Sequence, residues 1–486
     1  MYLNKTVLEL HELLVSKMVT PLELVNEAIE IIRSDDCKAY EATNFDAAIA
    51  KAKSIGEIKK GEYFKGIPYV AKDNFSTAGI ETTASSNVLN GYVPLYDAEV
   101  ISRLDKAGAI LLAKTTMDEL AMGGSGITGH KGVSKNPYDK SRIAGGSSCG
   151  SAIAVSRGEV SFALGSDTGD SVRKPASLVG IYGLKPTWGR ISRYGLFPFA
   201  QSLDSVGYFA RSVDDLAILT TLLAGYDEKD MSSSTRSSCD YLKESQHSDK
   251  KVVGYFPSIV DKLENKKITE SFYRLIEKLE EEGYKVVRYD FNQDLLDAIY
   301  PAYMVISCAE ATSNDANLDG IKFGIKPDGS ARTWEEYMVS ARTRGFSSLI
   351  KRRFIIGSYS LLAENQHDLF LRAQKVRRLI VNAVNEFFTK CDYLLLPTAQ
   401  NVAKKIEDAS DSWSKKPEYI DNHMAIGNFG GYPSLSEPLG YFEGLPYGVN
   451  ITSRQFEEAD LFNFARCIEN IVGLKNSTVN SHKEGI

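Results

Sequence analysis

Helix-like and strand-like segments alternate along this 486-residue chain, and the alternation constrains its fold more than any other feature. Residues 98–119, AEVISRLDKAGAILLAKTTMDE, have the pattern of a helix, a glycine turn and a strand. Short apolar runs at 66–74, 391–399 and 445–454 have the length and composition of further buried strands. Such alternation is typical of α/β proteins. The sequence therefore predicts one large α/β domain over residues 1–486, a mixed β-sheet covered by helices on both faces.

The N-terminal part and residues 231–251 are interpreted apart from this alternating pattern. We expect helices in the N-terminal part, about residues 1–60, because residues 6–33 carry leucines at helical spacing. Within them, Thr20 is expected to cap a helix whose first position is Pro21. Residues 231–251 are polar and rich in serine, which predicts an exposed loop.

The charge balance and the spacing of cysteine and histidine argue against several classes of protein. The chain has 63 acidic and 57 basic residues, a net charge of −6, so we expect any RNA to be held by a partner rather than by this chain. The six cysteines lie far apart without a CxxC pair, which is typical of reduced thiols in a cytosol-like compartment. The histidines lack the spacing of a metal site, and we predict none. Without a signal-peptide core or a bilayer-length apolar run, the protein is expected to be cytoplasmic and not membrane-bound.

The segment Gly124–Gly129 satisfies GxGxxG, the dinucleotide-binding fingerprint. That fingerprint requires a strand before it and a helix that begins within it. Here a helical turn precedes the segment and a loop follows it, so we predict no nucleotide site. Residues 145–150 have the spacing of a phosphate-binding loop, but Ser151 occupies the position of the required lysine.

Two serine- and glycine-rich segments contain candidate catalytic residues. The first, AGGSSCGSAIAVSRG at 144–158, could equally be a flexible loop that caps a helix. In the second, LGSDTGDSVRKPAS at 164–177, Ser171 lies where backbone N–H groups could converge as in an oxyanion hole. A serine nucleophile needs a base, and a buried, uncharged lysine can serve. Lys72, at the end of an apolar run, is the candidate, although alone it could be an ordinary solvated lysine.

Together, GIPYVAKDN, AGGSSCGSA and GSDTGDSVRKPAS resemble, in order and spacing, the hallmarks of the amidase signature family, and the resemblance covers nearly the whole chain. It implies the amidase signature fold and a Ser–Ser–Lys amide hydrolase. In this family pattern Lys72 is the base, Ser147 is a bridging serine on a cis peptide and Ser171 is the nucleophile. The implied oxyanion hole consists of backbone N–H groups of Ser171 and of Thr168, Gly169 and Asp170.

Two further segments, 117–125 and 192–207, resemble the A-subunit family of glutamyl-tRNA(Gln) amidotransferases. The resemblance implies glutamine hydrolysis and delivery of ammonia to a B subunit, which amidates Glu-tRNA(Gln) with ATP. It also implies a C subunit in a heterotrimer, charged tRNA held mainly by the partner, ATP and Mg²⁺ at that partner, and no cofactor in this chain. The implied glutamine ligands are Arg353, or alternatively Arg352, for the α-carboxylate, together with Asp421 for the α-amino group and Tyr303.

The sequence departs from the family pattern at three positions. Cys149 and Asp170 replace glycines, and Ile426 replaces a proline. Asp170 matters most, because a position that required positive φ would be strained, and its carboxylate would need solvent or a cation such as Arg173. Two alternatives to the glutaminase remain open, and Asp170 motivates the second of them. One is a stand-alone amidase acting on another small amide, and the other is a non-catalytic scaffold in the same complex.

Overall fold

The computed structural model describes residues 2–322, 324–326, 329, 331–409 and 423–480. Its strands are β1 (Tyr40–Thr43), β2 (Pro68–Lys72), β3 (Ile110–Thr115), β4 (Ala163–Asp167), β5 (Tyr182–Lys185), β6 (Ser205–Ala210), β7 (Val252–Tyr255), β8 (Lys285–Arg288), β9 (Tyr393–Pro397), β10 (Ser434–Phe442) and β11 (Leu445–Thr452).

The α-helices are α1 (Val7–Val15), α2 (Pro21–Arg33), α3 (Phe45–Ser54), α4 (Glu99–Lys106), α5 (Cys149–Ser156), α6 (Arg173–Leu178), α7 (Val213–Leu223), α8 (Tyr241–Glu244), α9 (Pro257–Val260), α10 (Lys266–Glu281), α11 (Gln293–Asn314), α12 (Trp334–Gly345), α13 (Ser348–Leu361), α14 (Arg372–Phe388), α15 (Ile406–Ala409), α16 (Ile426–Phe429) and α17 (Glu458–Val472). Shorter 3₁₀ or π turns are Asn87–Leu89, Glu119–Ala121, Asp315–Asn317 and His367–Leu371. Within the described ranges, no helix is both long enough and apolar enough to cross a membrane.

All the described strands join one mixed sheet in the order β1-β3-β2-β4-β6-β5-β10-β11-β9-β7-β8. Strand β2 runs parallel to both β3 and β4, whereas β4 is antiparallel to β6. Every residue of β2, β4, β5, β6 and β9 is buried. Because successive side chains of a strand point to opposite faces, both faces of this part of the sheet are covered. The α/β prediction is confirmed.

The parallel pairing of β2 with β4 determines where the site forms. Val70 lies opposite Ala163, and Ala71 lies opposite Leu164. The next residue along β2 is Lys72, so its side chain emerges at the same sheet edge as the end of β4. The carboxyl ends of parallel strands meet at one edge, which is where ligands bind in open α/β sheets. The glycine- and serine-rich segments lie at this same edge of the sheet.

Local sequence signals explain several elements. Thr20 caps α2 with a reciprocal Glu23 contact, and Pro21 is the first helical residue, as predicted. The expected helix–turn–strand pattern is present as α4, a turn at Gly108 and β3. The 231–251 prediction needs correction, because this segment contains the short helix α8, whose Tyr241 is buried. Tyr241 packs against Phe462 of α17, which fixes part of the polar segment on the core.

Helices α11 and α13 pack closely together beside the sheet edge. Thr312 Oγ1 lies 3.5 Å from the carbonyl oxygen of Phe354, which joins the two helices. A Cβ atom at Gly357 would collide with the Cys308 carbonyl and Thr312 Oγ1, so glycine permits this approach. The contact sets the positions of Tyr303 on α11 and Arg353 on α13.

Candidate active site

Lys72 is completely buried at the end of β2. Its Nζ lies 2.7 Å from Ser147 Oγ and 2.9 Å from Ser166 Oγ. Burial lowers the pKa of Lys72 to about 7, although nearby acidic groups partly oppose the shift. Near neutral pH, Lys72 is therefore uncharged in a large fraction of the molecules. A neutral amine can accept a proton from Ser147.

Ser147 follows a cis peptide bond between Gly146 and Ser147, as the family resemblance implied. The Asp118 N–H donates to the Ser147 carbonyl oxygen at 3.1 Å. A Cβ atom at Gly146 would collide with the Asp118 carboxylate, so only glycine fits before the serine. The hydroxyl of Ser147 is thereby held next to the lysine amine.

Asp118 also explains the GxGxxG segment. Its carboxylate accepts hydrogen bonds from the backbone N–H groups of Ser125, Gly126 and Thr128. In a dinucleotide site these N–H groups would donate to a pyrophosphate. Here they donate to the Asp118 carboxylate instead. Residues 124–129 form a loop without helix or strand, as expected.

Ser171 is buried in the loop between β4 and α6, where its carbonyl oxygen accepts a 3.2 Å hydrogen bond from the Ser148 N–H. The backbone N–H groups of Thr168, Gly169 and Ser171 donate to no described residue. They are therefore available to a developing oxyanion. Among the described hydrogen bonds none joins the Ser171 and Ser147 hydroxyls, and such contacts often tighten only when substrate binds.

A buried ion pair anchors this loop from behind. Arg173 Nη2 donates to Asp167 Oδ1 at 3.0 Å and to the Gly169 carbonyl oxygen at 2.7 Å. Asn428 Nδ2 donates to Asp167 Oδ1 at 3.0 Å. Burial alone would raise the pKa of Asp167, but the Arg173 charge and these hydrogen bonds hold it at about 2. The loop carrying Ser171 is thus held in part by the Asp167 carboxylate, which remains charged at neutral pH.

Asp170 does not distort the loop. It is absent from the non-glycine residues with positive φ, so an aspartate in place of glycine carries no left-handed strain. Its carboxylate lies 3.9 Å from Lys174 Nζ. The cation near Asp170 is therefore Lys174 and not Arg173, the example given above, whose guanidinium pairs with Asp167.

The other two departures are accommodated in the core. The Cys149 Sγ lies 3.4 Å from the Thr116 carbonyl oxygen and 3.3 Å from Ser134 Oγ. Burial raises the pKa of Cys149 to about 12, so the thiol is neutral and unreactive. Ile426 is buried at the start of α16.

The predicted substrate residues fall into three cases. Tyr303 lies against Gly169, since a Cβ atom there would be 2.9–3.0 Å from the Tyr303 ring and hydroxyl. Arg353 Nε and Nη1 are buried without a hydrogen-bond partner in the described part of the chain, whereas Arg352 is exposed. Arg353 is therefore the better candidate for a carboxylate ligand. Asp421 lies outside the described residues.

Sequence reasoning missed three polar residues of the site. Asn74 Nδ2 lies 2.9 Å from Ser166 Oγ, which in turn contacts Lys72. Asn428 reaches Asp167 from a distant part of the sequence. The parallel pairing of β2 and β4 could have indicated Asn74 and Ser166, because both lie at the same sheet edge. No local signal indicated Asn428.

Comparison with known proteins assigns the family. A profile described as Amidase matches residues 23–462, and the chain belongs to the amidase family. Relatives include the A subunit of the glutamyl-tRNA(Gln) amidotransferase of Thermoanaerobacter pseudethanolicus, 39% identical over 96% of both chains. The same protein of Pediococcus pentosaceus is 37% identical, again over 96% of both. The crystal structure of the corresponding A subunit from Thermotoga maritima superimposes with a TM-score of 0.78 and 33% identity, covering 97% of this chain and 95% of the other.

Proposed function

We propose that the protein is the glutamine-hydrolysing subunit of a tRNA-dependent amidotransferase. The observation that carries the proposal is Arg353, whose buried Nε and Nη1 atoms have no hydrogen-bond partner among the described residues. Its charge acts on Tyr303, which lies against Gly169. An amide hydrolase with a cation so placed suits an amide that also carries a carboxylate, because arginine pairs well with carboxylates. The relatives carry the name of the glutamyl-tRNA(Gln) amidotransferase A subunit, which supports glutamine as that amide.

The proposed acylation step uses the three catalytic residues in sequence. Neutral Lys72 accepts a proton from Ser147 while Ser147 takes the hydroxyl proton of Ser171. The Ser171 Oγ then bonds to the carboxamide carbon, and the carbonyl oxygen becomes an oxyanion facing the loop N–H groups. Loss of one such donor typically costs about 2.7–4 kcal/mol. The lysine proton returns through Ser147 to the amide nitrogen, which leaves as ammonia when the C–N bond breaks.

The proposed second step releases glutamate. Water attacks the γ-glutamyl ester on Ser171, with Ser147 and Lys72 again taking its proton. The ester bond breaks, and the proton returns to the Ser171 oxygen. The products are glutamate and a regenerated serine. Arg353 holds the α-carboxylate throughout, Tyr303 contributes its hydroxyl, and Asp421 is proposed to hold the α-amino group.

The hydroxyl of Tyr303 acts as a donor in this scheme. Burial raises the pKa of Tyr303 above its usual value, even though Arg353 opposes the shift. The phenol therefore stays protonated at any pH where the enzyme works. A protonated hydroxyl can donate to a substrate carboxylate or to the oxyanion.

The remaining proposals concern the assembly. We propose a heterotrimer in which a B subunit holds charged tRNA, ATP and Mg²⁺ and uses the ammonia, while a C subunit joins the two. This chain is proposed to supply ammonia in the cytoplasm without a cofactor of its own. The word subunit in the names of the relatives supports a multi-chain enzyme.

The test measures ammonia release from glutamine by the chain alone and with its partner subunits. We expect release in the complex and a loss of roughly 10⁴-fold or more in Ser171→Ala, because removing a nucleophile disables the whole relay. Ser177→Ala, which changes another buried serine outside the triad, is the matched control. Unchanged release in Ser171→Ala would refute the proposal. Efficient hydrolysis of simple amides with a dispensable Arg353 would instead favour the stand-alone amidase.

A further inference from the structure

A cavity of about 900 Å³ lies between α14 and the segment 428–432, where α16 ends before β10. None of its lining residues belongs to the Lys72, Ser147 and Ser171 triad. One wall consists of α14 side chains, and the other includes the aromatic rings of Phe429 and Tyr432. The cavity is thus a feature that amide hydrolysis does not account for.

The charge of the cavity lining is positive. Three arginines line it and no aspartate or glutamate does so within the described residues. Arg454 is balanced by Asp392 and Glu457, at 3.5 and 3.7 Å. Arg377 donates to the carbonyl oxygens of Phe429 and Ser202 and forms no ion pair with a described residue, although the Glu310 carboxylate acts on its charge. The excess positive charge of the lining therefore comes from Arg377 and Arg378.

Two of the donors in the lining have no acceptor among the described residues. Arg378 is exposed at the mouth and forms no hydrogen bond or ion pair with any residue in the described ranges. Trp188 Nε1 is buried and has no acceptor in the same part of the chain. A buried donor without an acceptor costs free energy. An occupant that supplies negatively charged acceptors would relieve this cost.

The exposed surface beside the cavity extends the same chemistry along the helix. Helix α14 carries four basic residues and one acidic residue. Its exposed surface includes Lys375 and Leu379, which is 55% exposed, and Leu371, immediately before the helix, is 42% exposed. A small free anion would not use these leucines. A polypeptide segment with acidic and apolar side chains would match both the charge and the exposed apolar surface.

We propose that this cavity and the exposed surface of α14 beside it form a docking site for an acidic, partly apolar segment of a partner subunit. The inference deepens the proposed function, on which it rests, by giving the partner a location. Asn428 lines the cavity and also donates to Asp167 behind the catalytic loop. The docked segment therefore contacts the residue that anchors the loop carrying Ser171, so docking and ammonia release are expected to be linked.

The experiment measures the affinity of the full chain for its purified partner subunits by calorimetry, without glutamine. Arg378→Glu and Lys375→Glu should each raise Kd at least tenfold, and salt should weaken binding by the wild type. Lys278→Glu, an exposed reversal on α10, is the matched control and should change Kd by less than about twofold. Unchanged affinity in both α14 variants would overturn the proposal. Thermal melting and basal hydrolysis of glutamine by each variant alone report whether it is folded.

A photocrosslinking residue at Thr389, which lines the cavity, locates the occupant. A crosslink to an Asp- and Glu-rich segment of a partner subunit is the expected result. A crosslink to a second copy of this chain, or none in the assembled complex, would overturn it. Because binding is measured without glutamine, failure of docking is distinguishable from failure of the proposed function, which would appear as wild-type complex that releases no ammonia.

Discussion

The two sides of the candidate active site, the catalytic side and the substrate side, are built differently. On the catalytic side, Lys72 and Ser147 are completely buried and Ser171 nearly so, and their loops are held by hydrogen bonds within the chain. On the substrate side, Arg353 projects from a helix, and its buried Nε and Nη1 atoms find no hydrogen-bond partner in the part of the chain that the structure describes. The catalytic side is already organised without a ligand, whereas the substrate side leaves polar groups that a ligand must satisfy. Chemistry and specificity are therefore expected to respond differently to mutation.

The largest effect is expected on the catalytic side, in Lys72→Met, because the relay loses its base. The value of kcat should fall roughly 10³-fold or more, with little change in KM, because the methionine stem fills the same buried space. Steady-state glutamine hydrolysis in the complex measures both constants. A loss confined to KM would contradict the assignment of Lys72 as the base.

The pH dependence follows from the same residue. The pKa of Lys72 is about 7, and the uncharged form is the proposed base. Activity should therefore rise as pH increases through about 7 and level off above it. Because an exposed lysine titrates near pH 10.5, a profile still rising steeply at pH 9 would show that Lys72 is not the controlling base.

The next effect is expected on the substrate side. Arg353→Ala should raise KM for glutamine about 10- to 150-fold and affect kcat less, since hydrogen bonds to charged groups contribute about 1.5–3 kcal/mol. Arg352→Ala is the neighbouring control and should change KM by less than about twofold. The reverse ranking would assign the carboxylate to Arg352 and move the substrate to the other side of α13.

Asn428 tests how strongly the catalytic side depends on its anchor. Asn428→Ala leaves Asp167 with fewer donors, so kcat should fall roughly tenfold, and the free energy of unfolding by about 1–3 kcal/mol. Asn385→Ala changes an amide that lines the same cavity but does not contact Asp167. A stability loss without any change in kcat would show that the anchor supports folding alone.

The smallest effect is expected at Asp170. Asp170→Gly removes a partly exposed carboxylate near Lys174, and exposed ion pairs contribute little. We expect kcat/KM to change by less than about threefold. A gain above about tenfold would show that the carboxylate opposes the oxyanion, which would revive the scaffold hypothesis for the natural chain.

The catalytic side could be predicted from sequence because its residues lie in continuous motifs. Lys72 ends an apolar run, and Ser147 and Ser171 lie in glycine-rich segments. None of these signals was decisive alone, and the prediction came from the order and spacing of the three motifs. Asn428 had no local sequence signal. Its contact with Asp167 forms only because the segment before β10 packs next to the end of β4. The choice between Arg352 and Arg353 likewise depended on which face of α13 is buried. Only the packing against α11 reveals that.

The most direct test of the Ser–Ser–Lys account is mass spectrometry of enzyme quenched during glutamine turnover. The account predicts a mass increase equal to one γ-glutamyl group on the peptide that carries Ser171. The same increase should be absent from Ser171→Ala. A γ-glutamyl group found on Cys149 or on another serine, or none on an enzyme that is actively releasing ammonia, would contradict it.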